Sequence, residues 1–509
     1  MRTVGSILPT FDRMRSLAVV VATLTVLAGC QVSATAPPTP TATATPPATS
    51  ATPSGTATAS AAGAHWEAAG TMSIARYSPH ALLLGDGRVL VVGNDAPYSP
   101  VRDDTATAEL WDPVSGRWTT TAGLNKPRVE FAAAPMKNGS VMVTGGLDQG
   151  TSGCDGGGQQ SFSSTYLYDP QSGAWTRGAL LQMARSAPSV AVLPDGRVLV
   201  AGGYYYTGAS TTRALPTDAG LAAYRPASGG PPGGIRPGAN DVVPPTIGAA
   251  LATAELYDPA TGTWSATGSM VYARFGAPAV TLSDGRVLVV GSGPGVDRGV
   301  ARVDDKANVT AEIYDPRTGR FALAGSLPGI DWAALSPLNL KDPGGAPAPE
   351  DPGTLVALAD GGALLVGDAG YWKHQGEVAR SFRFDAKALA WTETGQPYVA
   401  LTDEVTGAVV QTPAIGRLDA MAARLPDGRV LVAGGDSGEL TATVQVYDPA
   451  ANAWSALPPM PGPRAAGAIV TLHDGSLLIV GGTGGTPQEA DPCTSPLGLD
   501  SAIRYVPGP

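Results

Sequence analysis

Six arginines occupy one recurring position along this chain of 509 residues. Each stands ten residues before an Asp-Gly or Asn-Gly pair: Arg76, Arg128, Arg185, Arg274, Arg417 and Arg464. Guanidinium groups donate paired hydrogen bonds to carboxylates, so a ring of them can bind an acidic ligand. They can equally brace neighbouring loops by donating to carbonyls and carboxylates, and we favour this structural role while the ligand role stays open. A seventh copy has Glu350 in the arginine position.

Two groups of aromatic residues add binding chemistry to the arginines. Tyr204, Tyr205 and Tyr206 are consecutive, and Tyr371 precedes Trp372. Aromatic faces suit sugar rings or an apolar protein patch. If both groups converge with the arginines on one surface, an acidic glycan or an acidic peptide is the expected ligand.

Residues suited to catalysis are scarce. The chain has four histidines, His65, His80, His374 and His473, and it lacks a zinc-binding motif, a nucleophile elbow and a phosphate loop. We therefore predict no catalytic residues, no metal site and no cofactor.

The N-terminal residues predict export and attachment to a membrane. Arg13 and Arg15 precede an apolar run, 17–28, that is too short to span a bilayer and suits a signal peptide. The residues Leu-Ala-Gly-Cys ending at Cys30 match the bacterial lipobox, in which the cysteine receives a diacylglyceryl group. We predict a signal peptide over 1–29 and lipidation of Cys30; the alternative is an ordinary signal peptide with an incidental cysteine.

Residues 30–63 follow as a Thr-, Pro- and Ala-rich stalk, too poor in apolar bulk to fold. The protein would then be tethered outside the cytoplasm, on the outer side of the cell membrane. In a bacterium with two membranes it would be a periplasmic or outer-membrane lipoprotein.

Seven related segments organise the remaining chain. The clearest is LPDGRVLVAGG from Leu193, and its relatives begin at Gly85, Lys137, Ser283, Ala359, Pro426 and His473. Asp-Gly is typical of a tight hairpin turn, Val-Leu-Val of a buried strand, and paired glycines of a strand end. Repetition at this period indicates a solenoid or a propeller.

A second motif completes the repeat. Aromatic residues seven apart flank a short turn in the pairs Trp111 and Trp118, Tyr168 and Trp175, Tyr257 and Trp264, Tyr314 and Phe321, Phe384 and Trp391, and Tyr447 and Trp454. They belong on two further strands joined by an Asp-Pro or similar turn. Each unit therefore has four strands.

The paired glycines and this aromatic spacing resemble the kelch repeat from His65 onward. The resemblance implies an all-β, seven-bladed β-propeller over residues 64–509, with four-stranded antiparallel blades. His65–Arg76 looks like a fourth strand without its blade, and Ser501–Pro509 like a third strand without a fourth. We predict that the two termini share one blade and close the ring.

The resemblance implies a fold and a binding surface rather than one activity. Galactose oxidase, a kelch-type enzyme, binds copper through tyrosines and two histidines. Only His80 and His374 could point toward the required face here, so we do not expect a copper oxidase.

The long connections between strands belong on one face of the propeller. The first and third turns of each unit are short, whereas the second turn and the link between units vary. Because strand direction alternates, the variable connections share a face; we call it the long-loop face, and the opposite one the plain face. The long inserts are Asn94 to Thr105, Leu147 to Ser164, Tyr204 to Leu251, Ser292 to Val309, Leu327 to Gly353, Gly367 to Val378, Pro397 to Ile415 and Thr483 to Asp500.

Two cysteines, Cys154 and Cys493, lie in such inserts on blades that flank the first blade. Cysteines of an exported protein more often pair than stay free. They are a candidate disulfide, provided that the inserts can reach each other.

The net charge of −10 argues against nucleic acid as a partner. We expect a monomeric, surface-tethered binding module for a protein or carbohydrate. The alternative is a carbohydrate-active enzyme on the same scaffold, such as a sugar epimerase or oxidase.

Overall fold

The structure is a computed structural model. It describes residues 63–94, 106–148, 160–205, 249–291, 307, 309–328, 353–367, 380–395, 398–402, 409–413, 419–436, 440–484 and 498–508, with only the backbone at 249, 398–402 and 409–413. All of these residues belong to one compact unit, Thr58–Pro509. Within them, no helix has the length and apolar character needed to cross a membrane.

Several predicted features lie outside the described residues. These are the signal peptide, Cys30, the stalk, Cys154, Tyr206, Glu350, Tyr371, Trp372, His374, Arg417 and Cys493. They stay predictions.

The described residues form seven four-stranded antiparallel sheets, the blades of a β-propeller. Strands are numbered in chain order, and each blade runs from its innermost to its outermost strand. Blade 1 contains β2 (His80–Leu83), β3 (Val89–Val92), β4 (Ala108–Asp112) and β5 (Arg117–Thr121). Blade 2 contains β6 (Ala132–Pro135), β7 (Val141–Thr144), β10 (Thr165–Asp169) and β11 (Ala174–Arg177). Blade 3 contains β12 (Ser189–Val192), β13 (Val198–Ala201), β16 (Ala254–Asp258) and β17 (Thr263–Ala266).

The remaining blades repeat the same order. Blade 4 contains β18 (Ala279–Thr281), β19 (Val287–Val290), β20 (Thr310–Asp315) and β21 (Arg320–Ser326). Blade 5 contains β22 (Thr354–Ala357), β23 (Ala363–Gly367), β24 (Arg380–Asp385) and β25 (Ala390–Glu393). Blade 6 contains β28 (Met421–Arg424), β29 (Val430–Ala433), β30 (Val444–Asp448) and β31 (Ala453–Leu457). Blade 7 contains β32 (Ala468–Thr471), β33 (Leu477–Val480), β34 (Leu499–Val506) and β1 (His65–Arg76).

Three short ladders lie outside the blades. They are β8 (Leu147–Asp148) with β9 (Gln160–Ser161), β14 (Tyr204–Tyr205) with β15 (Ala249–Ala250), and β26 (Tyr398–Thr402) with β27 (Val409–Pro413). The first two are the stems of inserts, since they join the ends of second and third strands in blades 2 and 3.

The innermost strands close a ring around the propeller axis. Each contacts the innermost strand of the next blade, in the order β2, β6, β12, β18, β22, β28, β32 and back to β2. The hydrophobic core is divided among the junctions between blades. Seven apolar clusters each lie between two neighbouring blades. The apolar second strands supply much of it; all four residues of β3 are fully buried, for example. The predicted seven-bladed propeller is therefore confirmed.

The termini share blade 7, as predicted. Trp66 of β1 pairs directly with Tyr505 of β34, and the ring centroids lie 5.1 Å apart. The Trp66 indole N–H donates to the carbonyl of Pro458 in blade 6 at 2.9 Å. This pair repeats the geometry of the other aromatic pairs, such as Tyr168 and Trp175 at 5.0 Å. Closure thus uses the kind of contact seen at other junctions, where Trp118 donates to the Ala69 carbonyl and Trp175 to the Ala122 carbonyl.

Candidate functional site

Five of the six predicted arginines are described, and all are buried. Each lies on the link that leads into an innermost strand, at the edge of the long-loop face. Their exposed fractions are 0% for Arg76, Arg185 and Arg274, 1% for Arg128 and 5% for Arg464. A side chain of this length stays buried only when its donors find acceptors inside the protein.

The acceptors are the two ends of the insert in the same blade. The Arg76 guanidinium donates through Nη1 to the carbonyls of Gly93, at 2.8 Å, and Thr107, at 3.2 Å. These residues stand just before and just after the insert of blade 1. The same arrangement recurs with Gly145 and Ser164 for Arg128, Gly202 and Thr253 for Arg185, Gly291 and Thr310 for Arg274, and Gly481 and Ser501 for Arg464. Each described guanidinium therefore joins the two roots of an insert.

A buried glutamate completes the contact in three blades. Glu312 accepts from Arg274 Nε at 3.0 Å and from the backbone N–H groups of Val271 and Tyr272, on the link that carries this arginine. Arg274 and Glu312 are both fully buried. Glu109 accepts from Nη2 of Arg76 at 3.1 Å, and Glu255 accepts from Nη2 of Arg185 at 2.8 Å. The arginine, the link and the third strand of the blade thus form one hydrogen-bonded unit.

Sequence analysis missed these glutamates as partners of the arginines. The signal that could have found them is their recurrence two residues before the first aromatic of three of the repeats, those in blades 1, 3 and 4. Blade 5 has neither partner, because Glu350 stands in the arginine position and Phe382 stands in the glutamate position.

Two of the arginines lack a carboxylate at this position. Tyr166 replaces the glutamate beside Arg128, whose guanidinium carbon lies 4.9 Å from that ring and 4.7 Å from the ring of Phe162. Ile503 replaces it beside Arg464. Burial lowers the pKa of Arg128 to about 10 and that of Arg464 also to about 10. Both groups still carry a positive charge at neutral pH.

The residue two places after each described arginine adopts a left-handed backbone conformation. The φ angles are 46° at Ser78, 53° at Glu130, 46° at Ala187, 58° at Gly276 and 52° at Ala466. Such angles are strained for residues other than glycine and persist only where the surroundings enforce them. Hydrogen bonds between blades enforce them here: Ser78 N–H to Ala466, Ala187 N–H to Glu130, Gly276 N–H to Ala187, and Ala466 N–H to Asp419. This rim of the long-loop face is therefore rigid.

The described tyrosines of the candidate set lie in the stem of the blade 3 insert. Tyr204 is 2% exposed, packs edge-on against Phe275 at 5.5 Å, and donates its hydroxyl to the Glu130 carboxylate. Tyr205 is half-buried, and burial raises its pKa. Tyr204 belongs to an apolar cluster that also includes Val129 and Leu147. It fixes the stem of the insert against blades 2 and 4.

The described histidines lie far apart in the fold. His80 begins β2 and packs on Phe131 at 4.6 Å, where burial lowers its pKa to about 4 and keeps the ring neutral. His65 lies exposed on β1, and His473 lies in the first turn of blade 7 on the plain face. Within the described ranges, no group of three or more His, Cys, Asp or Glu side chains could hold a metal ion.

Known proteins share this repeat. The family model for the Kelch motif matches residues 421–461, which contain all four strands of blade 6. The seven-bladed architecture agrees with that match. One of the seven blades thus matches the Kelch motif, and the chain is similar in its architecture to kelch-repeat β-propellers.

Two relatives carry kelch in their names. The chain is 25% identical over 410 residues to the Kelch-like protein terF of Aspergillus terreus, covering 78% of this chain and 71% of that protein. It is 31% identical over 133 residues to the F-box/kelch-repeat protein SKIP30 of Arabidopsis thaliana, covering 25% of this chain and 34% of that protein.

A solved structure supports the kelch fold. A fungal alcohol oxidase of the AA5 family, in complex with copper, superposes with a TM-score of 0.53 at 16% identity. The match covers 87% of this chain and 76% of that structure. At this identity the likeness concerns the fold alone.

Proposed function

We propose that this protein is a membrane-tethered kelch module that binds a protein or glycan ligand through the long-loop face. The supporting observation is the set of buried guanidinium groups that join the roots of the inserts. Inserts anchored at both ends on a rigid scaffold are suited to recognition, since their length and sequence can vary without disturbing the fold. Kelch propellers commonly serve as protein-interaction modules, which fits this role.

In this proposal the arginines position the inserts rather than contact the ligand. Arg274 uses its donors on Gly291, Ala307, Thr310 and Glu312. A ligand carboxylate would have to displace these bonds and enter a fully buried site. Ligand contacts are therefore assigned to the inserts themselves, including the predicted aromatic residues at 206, 371 and 372.

Attachment through Cys30 and the stalk belongs to the same proposal. A lipid anchor and an extended, proline-rich segment would hold the propeller away from the membrane surface. A binding module exposed in this way can meet partners outside the cell.

The competing function is an enzyme on the kelch scaffold. The copper-containing fungal oxidase shares the fold, but the described histidines of this chain do not assemble a copper site. His80 is neutral and packed on Phe131, while His65 and His473 lie on an outer strand and on the plain face. These three histidines therefore give the enzyme no support.

The insert of blade 3 offers the sharpest test. Residues 206–248 connect two paired stem strands, β14 and β15, so a short Gly-Ser linker can replace them at little cost in stability. The intact and shortened proteins are compared on a glycan array and on an array of acidic peptides. We expect selective binding by the intact protein and its loss, with an unchanged melting temperature, in the shortened one.

A matched control is Val114→Ser, which changes a 95% exposed side chain in a plain-face turn. This variant should bind as the intact protein does. Binding that survives shortening of the 206–248 insert would exclude that insert as the binding site, and binding that survives shortening of every long insert in turn would show that the long-loop face is not the binding surface.

A further inference from the structure

The first turns of the seven blades form a ring on the plain face, in addition to the ring of innermost strands around the axis. In six of the seven turns, the residue before the Asp-Gly or Asn-Gly pair reaches toward the glycine of the next blade. The contact is close: Pro426 Cγ lies 2.5 Å from the position that a Cβ on Gly475 would occupy. The same packing joins His473 to Gly87, Lys137 to Gly196, Pro194 to Gly285, Ser283 to Gly361, and Ala359 to Gly428.

One junction of this ring is open. In blade 1 the residue before the pair is Gly85, which has no side chain to place over Gly139 of blade 2. No atom lies within 4 Å of the position that a Cβ on Gly139 would occupy. A cavity of about 220 Å³ opens at this point, lined by both glycines, and we call it the notch.

The walls of the notch combine apolar side chains with the polar residues Lys137, Ser140 and His473. Leu84, Met136 and Val141 line it and are buried, and Leu83 and Pro135 extend the apolar surface. The volume suits one ring or one short side chain rather than a whole drug-sized molecule. The repeat itself indicates which group fits, because prolyl rings fill the equivalent space at Gly285 and Gly475.

The polar edge of the notch carries a positive charge. Lys137 lies there with its ammonium donating to the Pro194 carbonyl, and in the described part of the chain it forms no ion pair. The neighbouring acidic groups are already paired, Asp86 with Arg88 and Asp474 with Arg504. An incoming carboxylate would therefore meet an ammonium group that forms no ion pair in the described residues, and whose electrostatic neighbour Asp195 is already paired with Arg197.

We propose that the notch binds a prolyl ring with a carboxylate next to it, as presented by an acidic, proline-containing segment of a partner protein. The ring takes the place that Pro194 and Pro426 take at their own junctions, and the carboxylate faces Lys137. This second site lies on the plain face and is independent of the function proposed for the long-loop face.

N-acetylproline carries both features and is the probe. Binding to the full-length protein is measured by saturation-transfer NMR, and we expect a dissociation constant of about a millimolar for a ligand of this size. N-acetylprolinamide keeps the ring without the charge and should bind several-fold more weakly. N-acetylglycine keeps the charge without the ring and should give no transfer.

The substitution Gly85→Pro should fill the notch with a prolyl side chain of the protein itself. The backbone at Gly85 is not in the left-handed region, and proline stands at the same position in blades 3 and 6, so the fold should tolerate the change. We expect loss of N-acetylproline binding at an unchanged or raised melting temperature. Gly85→Ser, which reproduces Ser283 of blade 4, fills the notch in part and should weaken binding if the proline variant folds poorly.

Two further variants test the position of the binding site and the contribution of the positive charge. Ala359→Pro makes the same substitution at a junction that is already filled, and it should bind as the wild type does. Lys137→Gln should weaken binding of N-acetylproline about two- to fivefold and leave N-acetylprolinamide unchanged. The proposal would be overturned by undiminished binding to Gly85→Pro or by equal binding of N-acetylglycine. Absence of saturation transfer from the wild-type protein to N-acetylproline would also overturn it.

Discussion

Arg274 shows how one side chain contributes to this propeller. Its guanidinium is fully buried, pairs with Glu312, and donates to both roots of the blade 4 insert. Burial lowers the pKa of Arg274, and the neighbouring Glu312 opposes that shift, so the guanidinium stays charged. Such a pair adds little when compared with apolar residues, but removing one partner leaves the other buried and uncompensated. The side chain therefore fixes local geometry, and its loss is costly because Glu312 would stay buried without a cation.

Arg274→Ala distinguishes the structural role from the ligand role. We expect the free energy of unfolding to fall by about 3 to 5 kcal/mol, because Glu312 stays buried without its cation. Chemical denaturation measures this change. Affinity for a ligand identified on the arrays should persist at temperatures where the variant is folded.

The matched comparison is Arg128→Ala, which removes a guanidinium that lacks a glutamate at the position of Glu312. It should destabilise less than Arg274→Ala, since no buried charge is left behind. A loss of affinity by about 1.5 to 3 kcal/mol per lost hydrogen bond, with stability unchanged in both variants, would assign the arginines to ligand binding instead.

The fourth, outermost strand of each blade connects it to the neighbouring blade. The fourth strand of each blade carries an aromatic residue whose indole N–H often donates to the preceding blade, as Trp118 does to Ala69 and Trp175 to Ala122. β1 performs this task for the closing blade through Trp66. It also contributes Ala69 and Met72 to the apolar cluster between blades 7 and 1. One N-terminal strand thus completes two interfaces.

Deleting residues 65–70 tests this closure. The deletion exposes the edge of β34 and removes the ring that packs on Tyr505, so we expect the free energy of unfolding to fall by several kcal/mol, about 3 to 5 for the aromatic alone. Thermal and chemical unfolding measure the change. Glu67→Gln, an exposed substitution on the same strand, is the control and should unfold like the wild type.

An unaltered melting temperature in the deletion variant would mean that the shared blade contributes nothing to stability. The contacts of Trp66 with Tyr505 and Pro458 argue for a measurable loss. Increased self-association would accompany it, because an open strand edge pairs with other chains.

At the scale of the whole molecule, the propeller has two different faces. One carries the described roots of the long inserts, and the other carries short turns that pack on one another around the ring. Proposed ligand binding and the proposed notch are therefore on opposite faces.

Cys30→Ala tests the tether. If a diacylglyceryl group is attached to Cys30, the variant should leave the membrane fraction or retain an uncleaved signal peptide, because the lipid supplies the membrane affinity. Labelling with a palmitate analogue, followed by fractionation, measures both outcomes. Equal labelling of the wild type and the variant would exclude Cys30 as the site of attachment.

The sequence alone determined the number of blades, the aromatic pairs and the closure by both termini. The blades and the aromatic pairs repeat and depend on contacts between residues close in the chain, whereas the closure follows from the strand that each terminal fragment lacks. Even the seventh aromatic pair, Trp66 with Tyr505, could be anticipated because each terminal fragment lacks the strand that the other supplies.

Only the tertiary structure decided what the regularly spaced arginines contact. The sequence places an arginine before most of the inner strands, but whether it turns toward the axis or into its own blade depends on carbonyls and carboxylates brought close by folding. The notch has the same origin. Gly85 is one glycine among many in the sequence, and its missing side chain matters because Gly139, from another blade, stands opposite it with nothing to fill the space between them.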